Sequence, residues 1–128
     1  MNQFFRFCVV GAVGFVIDAG ILQSLVSGIG ANPYLARIIS FFVAASATWL
    51  MNRRYTFEVE HAATHSEWVR YVALMVLGAV VNYGAFAISI TAWSLARAQP
   101  WLGVAVGSVA GLGINFMTSR LLFRGAST

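Results

Sequence analysis

The sequence predicts an all-α membrane protein whose four transmembrane helices form two tandem helical hairpins, with both termini in the cytoplasm. Hydrophobic residues make up 59% of the chain and charged residues 9%, and the mean hydropathy is +0.78. A soluble domain has about 25% charged residues, so this chain lacks the polar surface that water requires. The eight basic residues lie at the ends of apolar segments and form no single patch, which argues against nucleic-acid binding.

Four apolar segments are long enough to cross a membrane, which takes about 20 residues in a helix. They cover approximately residues 5–27, 34–52, 69–94 and 101–123. The turn sequence SGIGANP (27–33) separates the first pair, and RAQP (97–100) separates the second. Pro33 and Pro100 stand just before the second and fourth segments, where the start of a helix tolerates proline.

The arginines predict the orientation, because short cytoplasmic loops carry more Lys and Arg than outer loops do. One side of the membrane has six of them, namely Arg6, Arg53, Arg54, Arg70, Arg120 and Arg124. The other side has Arg37 and Arg97. The central loop, at about 53–67, is therefore expected to be cytoplasmic. Its acidic and histidine side chains are expected to be solvated and to hold no metal: Glu58, Glu60, His61, His65 and Glu67.

The two halves of the chain resemble each other. RFCVVGAVGFVIDAG (6–20) aligns without gaps with RYVALMVLGAVVNYG (70–84), which pairs Asp18 with Asn82. NPYLARI likewise aligns with QPWLGVA at the starts of the second helices. We expect one transmembrane domain, 1–128, built from a hairpin at about 5–57 and a second at about 68–124, as a parallel repeat.

Small residues recur every four positions in the second and fourth segments. The rows predicted to pack against other helices are Ala36, Ser40 and Ala44, and Gly103, Gly107 and Gly111. Both rows continue into polar residues at the arginine-rich side, and packing does not account for Asn52 and Asn115.

The motif NRRYTF (52–57) is a candidate site for an anionic group at the level of the lipid headgroups. Asn52, Arg53 and Arg54 would bind it, and Arg120 with Asn115 would supply a second half of the same site. In the alternative interpretation, the arginines only orient the helix.

Asp18 lies near the middle of the first segment, where an aspartate costs roughly 2.5–3.5 kcal/mol on insertion scales. It can pair with Arg37, which lies about one turn into the second segment, and so fasten the first hairpin. Alternatively, Asp18 and its counterpart Asn82 bind polar groups of a substrate, or Asp18 titrates during transport. Asn82 cannot titrate, which argues against two equivalent proton carriers.

No nucleophile–base set and no metal-ligand spacing stands out, so we expect neither an enzyme nor a bound cofactor.

The chain resembles the GtrA-like proteins over nearly its whole length. The most specific elements are RFxxVGxxxxxxD at 6–18 and NRRYTF at 52–57. The resemblance supports functional roles for Asp18, Asn52, Arg53 and Arg54. Arg120 follows only from the repeat, because Ser119 and Leu121 depart from a second RR-aromatic motif.

This resemblance implies flipping of a polyprenyl-phosphate-linked sugar across the bacterial cytoplasmic membrane, for cell-surface polysaccharide synthesis or modification. It also implies a glycosyltransferase as a partner. Four short helices hardly enclose a sugar-sized path, so a homodimer or a partner subunit is expected. One alternative is a non-transporting subunit that anchors or recruits the glycosyltransferase. Another is a small proton-coupled exporter of cationic compounds, against which the arginine-rich edge argues.

Overall fold

A computed structural model describes residues 2–126, and these residues form helices joined by short loops. Four helical stretches are long and apolar enough to cross a membrane: Gln3–Gly28, Pro33–Thr56, His65–Ala92 and Pro100–Arg124. Within residues 2–126, the prediction of an all-helical protein with four helices that could span a membrane is confirmed. The tandem repeat and the cytoplasmic position of the termini stay predictions.

Helices α1 (Gln3–Gln23) and α2 (Pro33–Met51) begin at asparagine caps. The side chain of Asn2 accepts a hydrogen bond from the Phe5 amide at 2.7 Å, and Asn32 accepts one from the Tyr34 amide at 2.9 Å. Each helix ends in a π-helical turn, Ser24–Gly28 after α1 and Asn52–Thr56 after α2. Gly30, with φ of +70°, provides the left-handed residue in the connection.

Helix α3 (His65–Ala92) begins four residues earlier than its apolar pattern predicts. The hydroxyl of Thr64 accepts a hydrogen bond from the Glu67 amide at 3.1 Å and so caps the helix within the polar loop. The short helix α4 (Ser94–Ala98) lies in the connection to α5 (Pro100–Ala126).

The chain divides into two compact units. One contains the chain up to Val72 and the segment from Phe123 onward; the other is Ala73–Leu122. In the first unit α1 and α2 pack antiparallel, and the row Ala36, Ser40 and Ala44 is buried. Near the arginine-rich end, Phe57 stacks on Phe123 with ring centroids 5.0 Å apart.

In the second unit the glycine row of α5 lies against α3. A Cβ at Gly107 would overlap the carbonyl oxygen of Asn82, and one at Gly111 would lie 2.9 Å from the Asn82 Cβ. Neither position therefore has room for a side chain without a shift of the helices. Close approaches also occur at Gly14 against Thr48 in the first unit and at Gly78 against Asn115 in the second.

Candidate functional site

The π-helical turn after α2 gives two neighbouring arginines different surroundings. Arg53 is buried, whereas Arg54 and Tyr55 are exposed. The chain then folds back over the helix end, because the Phe57 amide donates to the Asn52 carbonyl at 2.9 Å and the Val59 amide donates to the Arg53 carbonyl at 2.7 Å. One arginine therefore faces the protein interior, and the other faces the surface.

Arg53 forms a buried ion pair. Its Nη1 lies 2.8 Å from Oε1 of Glu67, and the two side chains are only 8% and 5% exposed. The indole nitrogen of Trp49 donates to the same oxygen at 2.9 Å, and Nη2 of Arg53 donates to the carbonyl of His61. These bonds occupy the arginine fork and fasten the end of α2 to the start of α3.

The expectation of a solvated central loop is wrong for Glu67. Its carboxylate is buried because Arg53 needs a counter-charge inside the protein, and Nε2 of His61 lies 3.6 Å from its other oxygen. A signal was present in the sequence: Thr64 and Glu67 have the spacing of a capping box, which places the acid in the first turn of a helix.

Asn52 belongs to a buried hydrogen-bonded chain. Its Nδ2 donates to the Tyr71 hydroxyl at 3.0 Å, and its Oδ1 accepts from the Thr56 hydroxyl at 2.7 Å. The Tyr71 hydroxyl donates in turn to Thr48 at 2.9 Å. With 2% of its surface exposed, Asn52 offers no atom to a ligand in this conformation. Its polarity is accounted for by contacts within the protein.

Arg54 lies on the border between two hollows. The first is an apolar groove of about 540 Å³ between α1 and α2, lined by Arg6, Val9, Val10, Val13, Met51, Arg54, Tyr55 and Glu58. The second is a more polar hollow of about 590 Å³, lined by Leu50, Arg53, Arg54, Glu58, Val59 and Glu60. The guanidinium of Arg54 lies 5.6 Å from the centre of the Tyr55 ring. Within residues 2–126 it forms no ion pair with a carboxylate.

Arg6 adds a second cation to the groove, which the sequence reasoning used only for orientation. Its Nη1 lies 3.2 Å from the Tyr55 carbonyl and 3.3 Å from Oε1 of Glu58. Glu58 has a left-handed backbone, with φ of +49°, which is uncommon for a residue other than glycine. A sequence signal for Arg6 was its place at the head of the RFxxVG pattern.

Asp18 and Arg37 lie together at the opposite end of the first hairpin. Nη1 of Arg37 is 2.6 Å from Oδ2 of Asp18, whose side chain is 19% exposed, and the arginine side chain is 58% exposed. The other carboxylate oxygen, Oδ1, is buried without a hydrogen-bond partner among the described residues. The geometry is that of a charge-assisted hydrogen bond, and a role in substrate binding stays a prediction.

The remaining candidates lie in the second unit. Asn82 contacts the glycine row of α5, and Asn115 fills the space beside Gly78. Oδ1 of Asn115 is buried and has no hydrogen-bond partner within the described part of the chain. Arg120 is exposed on α5. Binding roles for these three residues stay predictions.

Comparison with known proteins gives a match over most of the chain. A family model described as "GtrA/DPMS, transmembrane domain" matches residues 6–123. The matched stretch includes Arg6, the NRRYTF motif and all of the candidate residues considered above.

Proposed function

The chain belongs to the GtrA/DPMS transmembrane-domain family, and from this premise we propose that it flips a polyprenyl-phosphate-linked sugar across the bacterial cytoplasmic membrane. Membership of the family links the protein to the handling of polyprenyl-phosphate sugars. Translocation, rather than another form of handling, is our proposal. In this proposal the protein catalyses no covalent step, and the lipid is made or used by a glycosyltransferase.

The observation that carries the proposal is the position of Arg54 between an apolar groove and a polar hollow. The chemical groups of a polyprenyl-phosphate sugar follow the same order: a hydrocarbon chain, then one negatively charged phosphodiester, then a hydroxylated sugar. The valines of α1 would contact the first isoprene units, and Arg54 would bind the phosphate. The sugar would then lie in the polar hollow.

Arg54 suits this role because its guanidinium can form two parallel hydrogen bonds to phosphate oxygens. Arg6 is close enough to the groove to contribute a second cation, although it also bonds to Glu58. Arg53, by contrast, is held by Glu67 and serves to shape the wall of the hollow. We therefore assign phosphate recognition to Arg54 and Arg6.

The charge distribution favours a cytoplasmic position for this end of the protein. The lipid tail already lies in the bilayer, so only the charged and hydroxylated head must cross, and hydrocarbon opposes that step strongly. We propose that Asp18 and Asn82 form hydrogen bonds with the lipid head deeper in the membrane. A second copy of the chain, or a partner subunit, would complete the path.

The test is transbilayer movement of a polyprenyl-phosphate hexose in proteoliposomes. We compare the wild type with Arg54→Ala and with the matched control Arg70→Ala, since Arg70 is exposed at the same end and lines neither hollow. Loss of the charge-assisted contact between Arg54 and the phosphate should slow movement at least about tenfold at sub-saturating lipid, and the control should match the wild type.

Two other outcomes would reject parts of this proposal. Equal slowing by both variants would mean that Arg54 acts only through the net charge of this end. No movement above empty liposomes, with hexoses of several kinds, would reject translocation and favour the non-transporting subunit that recruits a glycosyltransferase.

A further inference from the structure

The charged side chains around the polar hollow differ between the side shared with the apolar groove and the side away from it. Arg54 and Glu58 lie on the side shared with the apolar groove, where Arg6 is a second cation, whereas Glu60 lines the polar hollow alone. Within residues 2–126 Glu60 is exposed and forms no ion pair with a basic side chain. Two arginines face one glutamate on the shared side, so the net charge is positive where the lipid phosphate would bind and negative beside Glu60.

The other charges of the hollow do not cancel this order. Arg53 is neutralised by Glu67 inside the protein. Glu58 pairs with Arg6 through Oε1 at 3.3 Å, on the side shared with the groove. The loop that carries both glutamates is held in place, because the Val59 amide donates to the Arg53 carbonyl at 2.7 Å.

We infer that Glu60 selects the sugar: the hollow accepts sugars that bear hydroxyl or amino groups and rejects sugars that bear a carboxylate. This inference rests on the proposed function, because it takes Arg54 as the phosphate site. A carboxylate accepts hydrogen bonds from hydroxyls and attracts an ammonium group, but it repels a second carboxylate. A phosphate-linked amino sugar, negative near the lipid and positive beyond it, matches the order of charges best.

The experiment measures binding to the full chain in nanodiscs. Four probes share one polyprenyl phosphate: the lipid without sugar, and the lipid bearing a hexosamine, a hexose or a hexuronic acid. We expect the hexosamine lipid to bind about fivefold more tightly than the hexuronic acid lipid, with the hexose lipid between them, since this is the size of effect that one exposed charge pair gives.

Glu60→Gln should reduce this preference to less than about twofold, and Glu60→Lys should reverse it. The preference of each variant is the ratio of its affinities for two sugar lipids, so any general change in affinity for the shared polyprenyl phosphate cancels. The matched control is Ala63→Lys, at an exposed loop position that lines neither hollow, which changes the net charge by the same amount as Glu60→Gln. The control should keep the wild-type preference.

Equal affinity of the wild type for the three sugar lipids would overturn the inference, as would an unchanged preference in Glu60→Gln and Glu60→Lys. If the lipid without sugar still binds and Arg54→Ala weakens it, only the sugar selection fails and the phosphate site stands. Failure of the wild type to bind any of the four lipids would overturn the proposed function together with the inference.

Discussion

Replacing Glu67 by Gln should strongly destabilise the protein, because it leaves the Arg53 charge buried without a counter-charge. The two groups lie 2.8 Å apart and are 8% and 5% exposed. At an effective dielectric constant of about 20, two unit charges at this separation attract each other by roughly 6 kcal/mol before desolvation is counted. Breaking a buried pair on one side costs about 3–5 kcal/mol. A glutamine still accepts the Trp49 hydrogen bond, so we expect a loss of about 3 kcal/mol.

The assay is equilibrium unfolding in mixed micelles, followed by tryptophan fluorescence. A double variant, Arg53→Met with Glu67→Met, removes both charges and should recover most of the loss, since apolar residues often replace a buried pair at little cost. The control is Glu60→Gln, which removes an exposed carboxylate and should change the free energy of unfolding by less than about 0.5 kcal/mol. A loss below about 1 kcal/mol for Glu67→Gln would refute the conclusion that this variant leaves the Arg53 charge buried and uncompensated.

Two further predictions concern the helix packing and the intramembrane charges. Gly107→Val should destabilise the second unit by about 1–3 kcal/mol in the same unfolding assay, because the valine side chain would overlap Asn82. The control is Gly113→Ala, where a Cβ meets nothing within 4 Å. This control should be neutral or slightly stabilising. If Asp18 serves only to pair with Arg37, the exchange Asp18→Arg with Arg37→Asp should retain most of the lipid movement in proteoliposomes, and complete loss in a correctly inserted protein would assign Asp18 a role beyond pairing.

The helices could be predicted from the sequence because membrane insertion depends on the apolar length of a segment, a property that is local and additive. The start of helix α2 at Pro33 and its end at Met51 follow from such local patterns. The earlier start of α3 could also have been read from the capping residues around Thr64. It was missed because the first turn is polar and the apolar pattern begins after it.

The site was harder to predict because neighbouring residues of a helix point about 100° apart. The sequence places Arg53 and Arg54 side by side and gives no sign of which one faces the interior. That depends on where Glu67 lies, which is a tertiary contact across the central loop. Arg6 was missed for the same reason: its contact with Glu58 joins residues far apart in the chain.

The separate environments of Arg53 and Arg54 have a consequence for how this motif can change in evolution. Position 53 is tied to position 67 by charge and to the carbonyl of His61 by geometry, so a change there is tolerated only together with a compensating change in its partners. Arg54 forms no ion pair within residues 2–126, and under the proposed function its identity would depend on the ligand. Under the proposed function, two adjacent and chemically identical residues would therefore be under different selection: changes at position 53 would follow the fold, and changes at position 54 would follow the substrate.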